Sequence, residues 1–303
     1  MPDLHIGPIN AATPTPFLPG GKLDLVSARR LAKRWVDVRL DGVLLLGNMG
    51  EGTLVADRDR ETFLEIALSE VGDKLTIFVS TADSSRQRMK ERALQYASMG
   101  AQCIVLCTPT GVSPAKAVED VKAVADCCPV PCCYYDVPAA TGVTLNVEEI
   151  ISVLSHGNIV AMKDSSNNAL SAQALTSAEF RVPGVALLDG VEYRTAFSHA
   201  LGYDGVLHGG GTLTGLRVRA IWECARAGNM VEALALDRQN ALFLAGIYNR
   251  FSRPLQNTIG QKYALGLLGV LDHETTLVEQ HLDDASKSRI AAILAGQREW
   301  LAL

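Results

Sequence analysis

Eight short apolar or β-branched runs recur along this chain at intervals of roughly 20 to 30 residues, the spacing of βα units. They read INAATPTPF (9–17), GVLLLG (42–47), TIFVST (76–81), CIVLCT (103–108), PCCYYDV (131–137), NIVAMKD (158–164), VALLDG (185–190) and GVLHGG (205–210). Between them lie stretches with apolar residues at helical spacing and charges elsewhere, among them 27–38, 57–71 and 85–99. Gly72 and Gly100 follow two of these stretches and predict left-handed helix stops. Eight parallel strands with intervening helices predict a closed (β/α)8 TIM barrel, a fold that needs about 250 residues and carries its functional groups at the C-terminal ends of the strands. An open doubly wound sheet is the alternative. No G-x-G-x-x-G follows the first strand, which weighs against the dinucleotide-binding form of such a sheet.

Beyond residue 225 the strand signal stops, and helical patterns follow at 230–248, 255–269 and 285–301. The expected division is therefore a barrel of residues 1–227 and a C-terminal helical domain of residues 228–303. The junction FSRPLQNT (251–258) carries the only proline of that second part.

With 303 residues, 48% of them hydrophobic and 20% charged, the chain can bury a full core. Its longest apolar runs are strand-length and far short of a membrane span. The N-terminal MPDLHIGPINAATPTPF has neither secretory nor transit character, so a cytoplasmic location is expected. A formal net charge of −5 without any Lys/Arg block removes the electrostatic footprint for nucleic acid or anionic membrane, which leaves a small molecule as the expected partner. Seven cysteines, four of them in CCPVPCC (127–133), lie in apolar, strand-like surroundings with no histidine nearby. They are read as buried reduced thiols, with no metal and no cofactor.

Lys163 ends the apolar run NIVAMK. Strand alternation puts Ile159, Ala161 and Lys163 on one face, so the lysine can point into the barrel at its mouth. Desolvation in an apolar wall is how nucleophilic, Schiff-base lysines are made. The competing reading is a strand-end lysine whose stem packs while its ammonium snorkels to solvent. One unit earlier YYDVP brings Tyr134 or Tyr135 to the same mouth, and a phenol beside an amine suggests proton transfer. The second strand ends in GNMGEGT (47–53), a glycine-bearing turn whose amides can hold a carboxylate or phosphate.

These segments resemble the dihydrodipicolinate synthase and N-acetylneuraminate lyase superfamily of class I, Schiff-base-forming aldolases. GNMGEGTLVADRDR (47–60) is similar to its G-x-x-G-E turn followed by L-x-x-x-E/D-R, YDVPAATG (135–142) to its Y-N/D-x-P-x-x-T-G, and NIVAMKDSS (158–166) to its Schiff-base strand. The resemblance spans nearly the whole chain and implies the same barrel with a C-terminal helical domain. It makes Lys163 the imine-forming lysine and Tyr135 the proton shuttle. It makes Asn48, Met49 and Gly50 the carboxylate cradle, contributing backbone amides since the usual hydroxyl residues are replaced. Ser165, Gly190 and Glu192 become contacts for distal substrate groups, Leu207 an apolar wall of the 2-oxo acid site, and His208 a strand-eight residue of unassigned role. A homo-oligomer, tetramer or dimer, is implied.

Two departures matter. Dihydrodipicolinate synthases use a tyrosine in T-P-Y-Y and an arginine in the strand-five loop, where this chain has TPTG (108–111) and Ala140. The expected activity is therefore an aldolase or lyase that cleaves or forms a hydroxy-2-oxo acid, with pyruvate as product or donor. Alternatives are a 2-keto-3-deoxy sugar acid dehydratase, a 4-hydroxy-2-oxoglutarate aldolase, a synthase-like condensation, a catalytically silent 2-oxo acid binding paralogue, and a phosphate-binding barrel using Gly209 to Gly211.

Overall fold

The computed structural model describes residues 4–248, 257–278 and 280–302. Eight strands close into one parallel barrel in chain order: β1 (Ile9–Ala12), β2 (Gly42–Leu45), β3 (Thr76–Ser80), β4 (Cys103–Cys107), β5 (Cys132–Asp136), β6 (Ile159–Asp164), β7 (Ala186–Asp189) and β8 (Gly205–His208), with β8 pairing back to β1. Each falls inside one of the eight expected runs. The expected (β/α)8 barrel is the observed fold.

Helices α1 (Leu25–Asp37), α2 (Asp57–Val71), α3 (Arg86–Ser98), α4 (Pro114–Cys127), α5 (Pro138–Thr141), α6 (Val147–Leu154), α7 (Ala169–Thr176), α8 (Thr195–Leu201) and α9 (Gly211–Arg226) form the outer layer. Three more follow: α10 (Met230–Ile247), α11 (Asn257–Leu267) and α12 (Asp284–Ala295). Of the junction at 251–258, all but Asn257 and Thr258 lies outside the described residues. One continuous apolar core runs from the barrel strands through the helix layer and into Ile259, Leu265 and Ile290 of the C-terminal helices. Among the described residues no helix is long and apolar enough to cross a membrane.

Local chemistry sets the element ends. The first helix starts two residues earlier than expected, at Leu25, because Asp24 caps it. The Asp24 carboxylate accepts from the Val26 and Ser27 amides at 3.1 Å each, and the Ser27 hydroxyl donates to it at 2.6 Å. Gly100 is the left-handed stop expected of it, at φ 100. Gly72 is not: its φ is −64, and a Cβ there would lie 2.6 Å from Leu68 O, so crowding rather than handedness excludes a side chain. The last helix ends at Ala295 rather than 301, followed by a short 3-10 turn, Arg298–Trp300.

Register fixes which side chains meet inside the barrel. Tyr135 pairs with Lys163, Lys163 with Leu188, and Leu188 with Gly205, so these positions share a face. The alternation read from Ile159 is interrupted by a register shift opposite Cys132 and Cys133. Ile159 pairs with Cys132 and Ala161 with Cys133, neighbours on opposite faces, so Ala161 shares the face of Lys163 and Ile159 does not.

Candidate active site

Residues from β5, β6, α5 and the loops after β2, β6, β7 and β8 open onto a cavity of 570 Å³ at the C-terminal end of the strands, among them Asn48, Met49, Glu51, Tyr135, Ala140, Lys163, Ser165, Gly190, Glu192 and Gly209. The start of α11 adds Asn257 and Thr258. This volume suits a small organic substrate. A second cavity, of 590 Å³, lies at the opposite, N-terminal end of the strands against Leu4, Leu75 and Val130. Barrel chemistry belongs at the C-terminal end, where the lysine stands.

Lys163 is 4% exposed, and among the described residues no carboxylate lies within salt-bridge distance of its amine. Burying a cation without a partner is costly, so such a lysine is seldom a packing residue. Its Nζ sits 4.2 Å from the centroid of the Tyr135 ring, itself 4% exposed on the adjacent strand. The wall of the cavity is moulded to this amine: a Cβ at Gly190 would fall 3.2 Å from Lys163 Cε and 2.1 Å from Ser165 Oγ. Cys107 and Cys133 also feel the lysine. Burial pushes both thiols up to about 12 with Lys163 opposing, so they are inert neutral neighbours.

The β2 turn is a fastened loop. Leu46 (φ 58) and Glu51 (φ 53) hold left-handed conformations that non-glycine residues adopt at a cost. A Cβ at Gly52 would sit 1.7 Å from Leu46 O, so only glycine closes the turn. Thr15 Oγ donates to Gly50 O at 2.7 Å, and the buried Arg60 guanidinium donates to Val55 O at 2.8 Å and to Gly52 O. Among the described residues the amides of Asn48, Met49 and Gly50 have no backbone acceptor, and those of Asn48 and Met49, which line the cavity, can serve as donors for an anion.

Not every anticipated residue reaches the cavity. Gly50 and Leu207 do not line it; Leu207 is fully buried on the inner face of β8, and Gly50 lies behind the turn. Glu192 lies at the edge, where its Oε2 accepts from Gly210 N at 2.5 Å and Tyr248 OH at 3.1 Å. His208 is on the face opposite Leu207, paired with Ala11 and fully buried. Burial, then the charges of Lys163 and Arg194, push its pKa down to about 3, so it is a neutral packing residue. Among the described residues no three His, Cys, Asp or Glu side chains converge as metal ligands.

Sequence reasoning missed two groups. One is the C-terminal wall of the mouth, including Thr258, whose Oγ meets Met49 Sδ at 3.7 Å. The other is a pair of carboxyl groups directly behind the lysine and tyrosine. Asp136 pairs with Asp164 across β5 and β6. Asp164 accepts from Tyr203 OH at 2.6 Å and Ser166 Oγ at 2.7 Å, whereas among the described residues Asp136 has only the Tyr134 phenol at 3.4 Å. Burial, then the Asp164 charge, push the Asp136 carboxyl up to about 7. Because this folded value lies above the unfolded one near 3.8, Asp136 favours the folded state at low pH, and that contribution is lost as pH rises through 7. Asp136→Asn should therefore raise the melting temperature, relative to the parent, by several degrees more at pH 8 than at pH 5. An identical offset at both pH values would show that Asp136 does not titrate in this window.

The Dihydrodipicolinate synthetase family model matches residues 6–294. A 4-hydroxy-tetrahydrodipicolinate synthase of Acidothermus cellulolyticus is 31% identical over 271 residues, covering 87% of this chain and 83% of that one. Among solved structures, CdNal from Clostridium difficile in complex with mannosamine superposes with a TM-score of 0.89 at 19% identity, covering 98% of this chain and 100% of its own. The chloride-inhibited dihydrodipicolinate synthase from Acinetobacter baumannii, complexed with pyruvate, superposes at 0.87 with 22% identity, covering 96% and 98%.

Proposed function

The chain belongs to the dihydrodipicolinate synthetase family of class I, pyruvate-dependent Schiff-base enzymes, and on that premise we propose that it cleaves or forms a hydroxy-2-oxo acid through an imine at Lys163. The observation that carries this reading is the buried amine, with no counter-ion among the described residues, held against Tyr135 at the mouth of the barrel. In the cleavage direction the substrate carboxylate lies on the free amides of Asn48 and Met49, and Nζ attacks the C2 ketone. Tyr135 carries protons as the carbinolamine loses water. The protonated imine then accepts the electron pair of the breaking C3–C4 bond while the C4 hydroxyl gives its proton back to Tyr135 and becomes an aldehyde. Protonation at C3 and hydrolysis release pyruvate and restore the lysine.

The partner half of the substrate is read from the rest of the cavity. Among the described residues lining it, Lys163 is the only cation, and Ala140 occupies the strand-five loop. Among the described residues a second carboxylate finds no further positive charge to meet it there. Ser165 and Glu192 instead offer hydrogen-bonding groups suited to hydroxyls. The expected preference is a hydroxylated, uncharged aldehyde over aspartate semialdehyde.

The test is a panel of 2-keto-3-deoxy sugar acids, N-acetylneuraminate and 4-hydroxy-2-oxoglutarate, assayed for pyruvate release and for dehydration and ranked by kcat/KM beside condensation of pyruvate with aspartate semialdehyde. Polyhydroxylated substrates should lead the ranking. Efficient dihydrodipicolinate formation, or dehydration without pyruvate release, would overturn this specificity.

A further inference from the structure

The structure holds a second buried lysine of the opposite kind. Lys262 on α11 is 0% exposed, and its Nζ lies 2.6 Å from Glu51 Oε1, whose side chain is 3% exposed. The same amine donates to Thr275 O at 2.7 Å and lies 4.3 Å from the centroid of Phe17. The other oxygen of Glu51 accepts from the amides of Leu277 and Val278, at 2.5 and 3.1 Å. Burial pushes Lys262 down to about 8, with the Glu51 charge opposing. The β2 turn, α11 and residues 275–278 thus meet at one ion pair, which joins the barrel mouth to the C-terminal segment.

A buried ion pair contributes less to stability than apolar side chains of the same volume would, and its best-attested use is to fix geometry. Geometry is what this turn requires. Thr15 and Arg60 fasten its backbone from the barrel side, whereas the side chain of the left-handed Glu51 is tied, among the described residues, to the C-terminal segment. Asn48 and Met49 of the same turn line the cavity, and among the described residues their amides have no backbone acceptor.

We propose that Lys262 and Glu51 are positioning residues through which the C-terminal helices hold the β2 turn in the shape that binds the 2-oxo acid carboxylate, and so set substrate affinity without taking part in imine chemistry. This rests on the functional reading of the turn given above. Neither side chain touches the reacting atoms. Loss of the pair weakens capture of the 2-oxo acid and leaves the imine step intact once the site is full.

The experiment is a pyruvate titration of borohydride-trapped adduct at Lys163, read by intact mass, on the full-length protein and three variants. Lys262→Met should raise the half-saturating pyruvate concentration by about 10-fold or more while the adduct plateau is unchanged, the signature of a displaced binding element. Glu51→Gln with Lys262→Met, which leaves no unpaired charge and keeps the shape of both side chains, should fold stably and lie between Lys262→Met and the parent. Leu265→Ala, a cavity in the same helix, should lower the melting temperature but leave half-saturation within about twofold of the parent. The proposal is overturned if Lys262→Met half-saturates like the parent, or if the double variant does so when Lys262→Met fails to fold. It is also overturned if Leu265→Ala shifts the titration equally, since general loosening then explains the effect. A parent protein that forms no adduct at any pyruvate concentration refutes the imine reading itself and is recognised before any variant is compared.

Discussion

Lys163→Ala is expected to reduce turnover of the best hydroxy-2-oxo acid by about 10⁴-fold or more, the scale of loss when a covalent nucleophile is deleted. The size of the effect follows from the path. Without an amine there is no imine, and without the imine the electrons of the C3–C4 bond have no sink. The fold should tolerate the change, because the lysine pairs with no carboxylate among the described residues and its removal leaves no orphaned charge. A folded Lys163→Ala protein that keeps more than about a hundredth of parental kcat would transfer the covalent role to another group.

Tyr135→Phe is expected to lower kcat by about 100-fold or more, the usual contribution of a general acid–base group. The variant is informative because phenylalanine keeps the ring that faces Lys163 Nζ at 4.2 Å and removes only the phenol. The melting temperature should stay near that of the parent, and the adduct with pyruvate should still form, more slowly. Unimpaired turnover would assign the proton transfers to the substrate carboxylate or to water.

Much of the fold was legible because a parallel barrel writes itself as repeated apolar runs, buried on both faces and separated by amphipathic helices. Lys163 stood out for the same reason: a charge at the end of such a run contradicts its surroundings. What stayed hidden depends on partners distant in sequence. Lys262 sits in LQNTIGQKYALGLLG, where a lysine beside a glutamine reads as a solvent face, yet its counter-ion is 211 residues away in the β2 turn. Asp136 and Asp164 alternate away from the barrel interior, which a sequence reading takes as outward and wet. In the folded barrel that direction meets the helix layer, so the pair is buried and Asp136 is pushed up to about 7. The register shift between β5 and β6 carries no sequence signal either. It moves Ile159 off the lysine face without moving Lys163.

The central claim is that Lys163 forms an imine with a 2-oxo acid. Incubation with pyruvate followed by borohydride reduction, then digestion and peptide mass spectrometry, tests it directly. One reduced pyruvate adduct per chain, located on Lys163, is expected, and none in Lys163→Ala. An adduct on Lys262 or any other lysine, or a folded protein that gains no mass at saturating pyruvate, would contradict it.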